Sequence, residues 1–210
     1  MSVAVITVTP MTVAVIPPYD PNMSRWEPNA RGRLEEAALE LYTERGFDET
    51  TVAEIAERAG LTERTFFRHF ADKREVLFGG QDALLGIFVN TIAEAPESMS
   101  PIDAVGAALQ AVAPVFEGRH KLARRRQAVV AANPSLQERE LIKLASIASA
   151  ITEGLRSRGT GETAAKLAAE AGVAVFKVAF DRWVNEGRKD ELPQFIWESL
   201  DELKAMAAGG

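Results

Sequence analysis

Residues 60–73 read GLTERTFFRHFADK, and this stretch decides the fold. Gly60 ends one helix, and Thr62 is placed to cap the next, which runs through Phe70. At about 100° per residue, Phe66 and Phe70 fall on one face, toward the apolar side of the preceding segment. Arg64 and Arg68 fall on the opposite face, with Thr65 and Phe67 flanking them. The helix therefore has one anchored side and one basic side. Phe67 stands on the basic side, where a hydrophobic ring needs an explanation.

Working outward, TVAEIAERAG (51–60) supplies the partner helix. Thr51 and Glu54 have the spacing of a capping box, and Val52, Ile55, Ala56 and Ala59 form its apolar face. Upstream, RLEEAALELYTERGF (33–47) places Leu34, Ala37, Ala38, Leu41 and Tyr42 on one stripe and stops at Gly46. Two short helices joined by AGLT (59–62) have the length and glycine-containing turn of a helix-turn-helix. Downstream, Asp72 and Glu75 repeat the capping spacing and predict a longer helix from Lys73 to Ala95. Between residues 64 and 74, Arg64, Arg68, Lys73 and Arg74 face a single carboxylate, Asp72. That is a local basic surface; the plainer alternative is the solvated face of a bundle helix.

The remainder reads as further helices. In SMSPIDAV (98–105), Ser100 is a cap, Pro101 a first position and Asp103 a first-turn acid; Asn133-Pro134 repeats the pattern. Gly159, Gly161 and GRKD (187–190) mark breaks. Helices are thus predicted over 101–117, 119–132, 134–157, 161–186 and 191–206. No period-two alternation follows residue 20, so the class is all-α, with about nine helices. The 161–186 segment carries Leu167, Val173, Val175, Phe176, Val178, Phe180, Trp183 and Val184 on more than one side. Its Ala164, Ala165, Ala168, Ala169, Ala171 and Gly172 permit close approach of another helix. Phe195, Ile196, Leu200 and Leu203 follow at core spacing. Either the last two helices bury a face against a second copy, or all of this is intrachain core.

Composition bounds the chemistry. The 210 residues are 47% hydrophobic and 26% charged, with a formal net charge of −6, which argues against a generally basic surface. Cysteine is absent, and His69 and His120 are the two histidines, so no thiol nucleophile or cysteine metal site exists. His120 sits in RHKLARRR without a serine or paired carboxylates at a catalytic spacing. That run reads as a solvated helix face, a contact to the N-terminal helices, or an anion site. No catalytic residue, metal or cofactor is expected. No apolar run approaches the roughly 18–20 residues of a membrane span, and a cytoplasmic location is expected. Residues 1–23 form an N-terminal extension in which VAVI occurs at 3–6 and 13–16, strand-like by its β-branched content or disordered. It lacks a basic start, and Pro17-Pro18 replaces a cleavage pattern, so it is not read as a secretory signal. It is expected to be a variable tail, a start codon placed too early with Met11 and Met23 as alternatives, or an arm that pairs with itself or a second chain. The working chain begins near Ser24.

Residues 31–77 resemble the DNA-binding domain of the tetracycline-repressor (TetR) family. AALELYTERGF, TTVAEIAERAGLTERTFFRHF and DKREVLF carry the likeness, in the family's order and spacing. The C-terminal part resembles the family in layout alone. The resemblance implies a DNA-binding domain at 24–78, with the helix-turn-helix at about 51–70, and a helical ligand-binding and dimerisation domain at 79–210. It implies a homodimer on a pseudo-palindromic operator in double-stranded DNA, usually repressing and released by a small molecule. Thr62, Arg64, Thr65 and Arg68 are then placed to meet bases or phosphates. Thr51 is placed to touch phosphate. Lys73 would open the fourth helix beside another phosphate, and His69 would donate to the DNA backbone or be structural. Phe67 stands where the family usually has tyrosine, and Glu63 where lysine or a small polar residue is common. The ligand pocket would lie within helices four to eight, with Phe88, Phe116, Phe176, Phe180 and Trp183 as candidates or as plain core. The ligand is expected to be hydrophobic or amphipathic, and the last two helices to form the dimer. A tilt of the fourth helix would carry the signal. The competing readings are a TetR-like helical interaction module with lost or weak DNA binding, and a helical enzyme, for which no acid–base pair is evident.

Overall fold

The computed structural model describes residues 29–186 and 191–209. The N-terminal extension, the start near Ser24 and the break at 187–190 lie outside the described residues. Among the described residues there are α-helices and two short 3-10 turns, and no strand. No described helix is long and apolar enough to cross a membrane.

Three helices build the N-terminal unit: α1 (Ala30–Arg45), α2 (Val52–Arg58) and α3 (Glu63–His69). The apolar stripe read for α1 is buried, with Leu39 added to it. It packs with Phe47, Ile55, Ala59, Phe66 and Phe70 into one core. Gly60, at φ 66°, makes the turn between α2 and α3, a backbone that side-chain-bearing residues rarely adopt. Leu61 N–H then bonds Ala56 O at 2.8 Å and closes the end of α2.

The predicted helix over 73–95 is corrected. Asp72 Oδ1 accepts from the backbone N–H of Arg74 and of Glu75, which makes a turn rather than a helix start. A 3-10 turn follows at Glu75–Leu77, and α4 runs only from Gln81 to Glu94. Gly79-Gly80 explains the break: Gly80 sits at φ 89°, and helix propagation through two glycines is unfavourable by about 1 kcal/mol each.

The other elements are α5 (Pro101–Val112), α6 (His120–Ala131), α7 (Pro134–Ser157), α8 (Glu162–Glu186) and α9 (Leu192–Ala208). Ser100 caps α5 as expected, accepting from Asp103 N–H. The segment predicted as helix to 117 instead tightens at 112 into a 3-10 turn, Ala113–Phe116, around Pro114. α8 packs against α7, α9 and α5. Its buried face is small: Ala165, Ala169, Gly172, Val175 and Ala179, then Trp183. A methyl on Gly172 would collide with Val105 of α5, so this small face is what lets the two helices meet. Leu167 and Val178 of the same helix remain exposed.

The second core joins α4, α5, α7, α8 and α9. The first core does not end with the N-terminal unit. Val129 and Val130 of α6 and Leu136 of α7 belong to it, so the two units share a packed seam.

Candidate nucleic-acid interface and interhelical cavity

The seating of α3 follows from its sequence. Thr62 is its N-cap, accepting from Thr65 N–H, and the two hydroxyls lie 3.1 Å apart. Phe66 is fully buried, 5.4 Å from the Phe70 ring, and fixes the helix to α1 and α2. Phe67 points the other way, 54% exposed, its ring edge-on to Phe66. Arg64 and Arg68 are exposed and carry no ion pair among the described residues. Glu63, also exposed, sits in the first turn, where the helix dipole favours a carboxylate.

Other predicted contacts are committed elsewhere. The Thr51 hydroxyl accepts from Glu54 N–H and donates to Glu54 Oε2, so the expected capping box is complete and that oxygen is engaged. Lys73 does not open α4. Its Nζ donates to the carbonyls of Phe47, Asp48 and Thr50 at 2.9, 3.2 and 3.1 Å and lies 4.3 Å from the Phe47 ring centre. An ammonium has three N–H donors, and all three are matched here. Tyr42 Oη donates to Lys73 O at 2.6 Å, and burial, then Asp72, raises its pKa. Arg74 is paired with Asp72. The basic surface thus narrows from four cations to Arg64 and Arg68.

His69 Nε2 is buried without a hydrogen-bond partner among the described residues, which leaves Nδ1 to donate outward. Burial, then Arg68 and Arg31, hold its pKa below the ordinary histidine range. Arg31 was not singled out by sequence; its guanidinium lies over the Phe70 ring, 5.4 Å from the centroid.

A cavity of about 470 Å³ opens between the N-terminal unit and α4, α6, α7 and α8. Phe116, Phe176 and Phe180 line it, with ring centroids 5.5–6.1 Å apart. Phe88 and Trp183 do not: Phe88 is buried in the second core, and Trp183 lies fully buried behind Phe116 and Phe180. Both were candidates because aromatic residues at helical spacing look alike whichever side of a wall they occupy. Leu84, Leu144 and Ile147 complete the apolar wall, and Arg126, in the run read as three alternatives, reaches the cavity and the linker. Arg126 Nε donates to Leu77 O at 2.8 Å and Nη1 to Glu140 at 2.9 Å, while the guanidinium stacks over Phe78. Lys121, Arg124 and Arg125 are exposed. Glu75 is clasped by Arg139 and Lys143, and Gln81 bonds Lys143 O. The 75–81 linker is therefore strapped to α6 and α7 beside the cavity.

Comparison with known proteins fits this geometry. The model of bacterial regulatory proteins of the tetR family matches residues 34–79, and that of the MftR C-terminal domain, a TetR C-terminal type, matches 99–208, over half of the chain. The HTH-type transcriptional regulator TcmR of Streptomyces glaucescens is 39% identical over 82 residues, which is 39% of this chain and 36% of TcmR. MftR of Mycobacterium tuberculosis, named for a proposed role in regulating mycofactocin biosynthesis, is 26% identical over 146 residues, 70% of this chain and 74% of MftR. The fold matches that of Thermus thermophilus FadR, a TetR-family repressor solved with lauroyl-CoA, at a TM-score of 0.52 and 24% identity, covering 83% of this chain and 93% of that one. The chain belongs to the TetR family of bacterial regulatory proteins.

Proposed function

We propose that this chain is a one-component transcriptional repressor that binds a pseudo-palindromic operator as a homodimer and releases it when a small hydrophobic or amphipathic ligand enters the cavity. The observation that carries the reading is the division of α3: Phe66 and Phe70 anchor it, while Arg64, Arg68 and Phe67 stand free on the outer side. An exposed arginine on such a helix can donate two hydrogen bonds to guanine O6 and N7 in the major groove. Residues 24–78 form the DNA-binding unit and 79–210 the sensor. The cavity supports ligand response because the linker between the units borders it. Phe116, Phe176 and Phe180 are the aromatic ligand contacts. α8 and α9 form the dimer, since Leu167, Val178 and Trp197 are exposed there.

Operator binding is tested by salt-dependent retardation of the DNA upstream of the coding region. Arg64→Ala is expected to weaken the complex by about 1–3 kcal/mol and to relax preference at one operator position. No retardation at low salt would instead favour a helical interaction module.

A further inference from the structure

We infer that the cavity selects an amphiphile with one acidic head group, and that Arg126 is the side chain that reads this head and reports it to the linker. This rests on the ligand-responsive reading above and specifies its ligand. The wall made by Leu84, Phe116, Leu144, Ile147, Phe176 and Phe180 suits an apolar tail. The charges at the cavity are not balanced. Glu35 is held by Arg31, Glu140 by Arg126, and Lys143 by Glu75. Among the described residues, Arg119 and Lys177 line the rim, exposed and without an acid partner, and Asp181, which accepts from Asn185, is the lining acid without a cation. One acidic head satisfies this excess; a cationic head would add to it.

Arg126 and Lys143 each touch both the cavity and the linker, and Arg126 does so with a planar guanidinium whose outer edge is turned to no acceptor among the described residues. Its bonds to Leu77 O and Glu140 use Nε and one Nη1 hydrogen. A guanidinium has five N–H donors, and Nη2 of Arg126 has no acceptor among the described residues. A carboxylate, sulfate or phosphate head takes that free edge, where a charge-assisted bond forms in a largely apolar wall. Its negative charge then repels Glu140 and draws the guanidinium away from Leu77 O. One of the straps on the linker is lost when the head arrives.

Calorimetry on the full chain with decanoate, decanol and decyltrimethylammonium separates head from tail, since all three share one tail. Decanoate is expected to bind about tenfold tighter than either of the others. Arg126→Gln and the milder Arg126→Lys should erase most of that preference while leaving decanol affinity within about twofold. Decanoate should also release the operator complex of the native chain, whereas Arg126→Gln, which lacks the Leu77 strap from the start, should hold operator more weakly without decanoate and respond little to it. Equal or tighter binding of the cationic or neutral probe, or no binding of any of the three, overturns the acidic-head inference. A native decanoate preference in Arg126→Gln overturns the role of Arg126. A chain that retards no DNA defeats the repressor reading, yet the calorimetric order of the probes still decides the head group. A chain that retards DNA but ranks the probes without regard to charge leaves the repressor reading standing and defeats this one.

Discussion

Phe66 and Phe67 are adjacent in sequence and opposite in environment: one is fully buried, the other 54% exposed. Helical geometry alone separates them, which is why this part of the site was legible from spacing. Lys73 was not legible, because its partners are carbonyls of residues 47–50, more than twenty positions away. Sequence showed a cation beside other cations; folding turned it inward to clamp the α1–α2 loop. Two substitutions separate the outward side chain from the inward one. Phe67→Tyr adds an exposed hydroxyl to the outer side of α3 and is expected to tighten operator binding, as read by retardation titrations. An unchanged affinity would mean that this face does not approach a phosphate. Lys73→Ala removes the ammonium from three carbonyls, of which Phe47 O keeps only its bond from Thr50 N–H, and should lower unfolding free energy by about 1.5–3 kcal/mol in urea titrations. The salt dependence of its operator binding should match that of the native chain; a slope reduced by about one would restore Lys73 to the DNA surface.

At the level of elements, most helices could be placed from caps and apolar period. α7 begins and ends at Pro134 and Ser157 as predicted, and α8 and α9 differ by one or two residues at their ends. α4 could not, because Asp72 and Glu75 mimic a capping box while serving other partners. Glu75 illustrates the difference. Burial alone would raise its carboxyl pKa, but hydrogen bonds from Arg139 and then Lys143 prevail and hold it below the usual glutamate range. The clasp therefore contributes fully above the unfolded pKa of about 4.3 and is lost as pH falls through the lower folded value. Urea titrations from pH 7 down to pH 3 should show the native chain losing stability on the acid side. Glu75→Gln should cost about 1.5–3 kcal/mol at pH 7 and show a flatter acid limb. An acid limb as steep as the native one would place the sensitivity on other carboxylates, Asp72 and Asp103 among them, whose pKa values are also lowered.

At the scale of the molecule, the packing that crosses the boundary expected at 78–79 was not legible. Val129, Val130 and Leu136 read as sensor residues by position, yet they complete the core under the DNA-binding helices. Such long-range packing has no local signature. The same holds for the outer face of α8. Leu167, Ala171, Ala174 and Val178 recur at spacings that share one helical stripe, and the Ala165–Gly172 face behind them is consumed inside the chain. Leu167 and Trp197 are 66% and 51% exposed, large apolar groups left half or more uncovered by the described residues. A stable dimer buries at least about 1,000 Å², and an aromatic residue near its centre carries a disproportionate share of the energy. Trp197→Glu should therefore shift the chain to monomer at micromolar concentration in sedimentation velocity. Its thermal midpoint at low protein concentration should stay near the native monomer's, because Trp197 lies outside the intrachain core. Operator binding should weaken in parallel, since a monomer presents one recognition helix to a two-part site. A variant that stays dimeric with native affinity would move the interface away from α8 and α9. A variant that loses operator binding while remaining dimeric would show that Trp197 sets the spacing of the two recognition helices rather than holding the copies together.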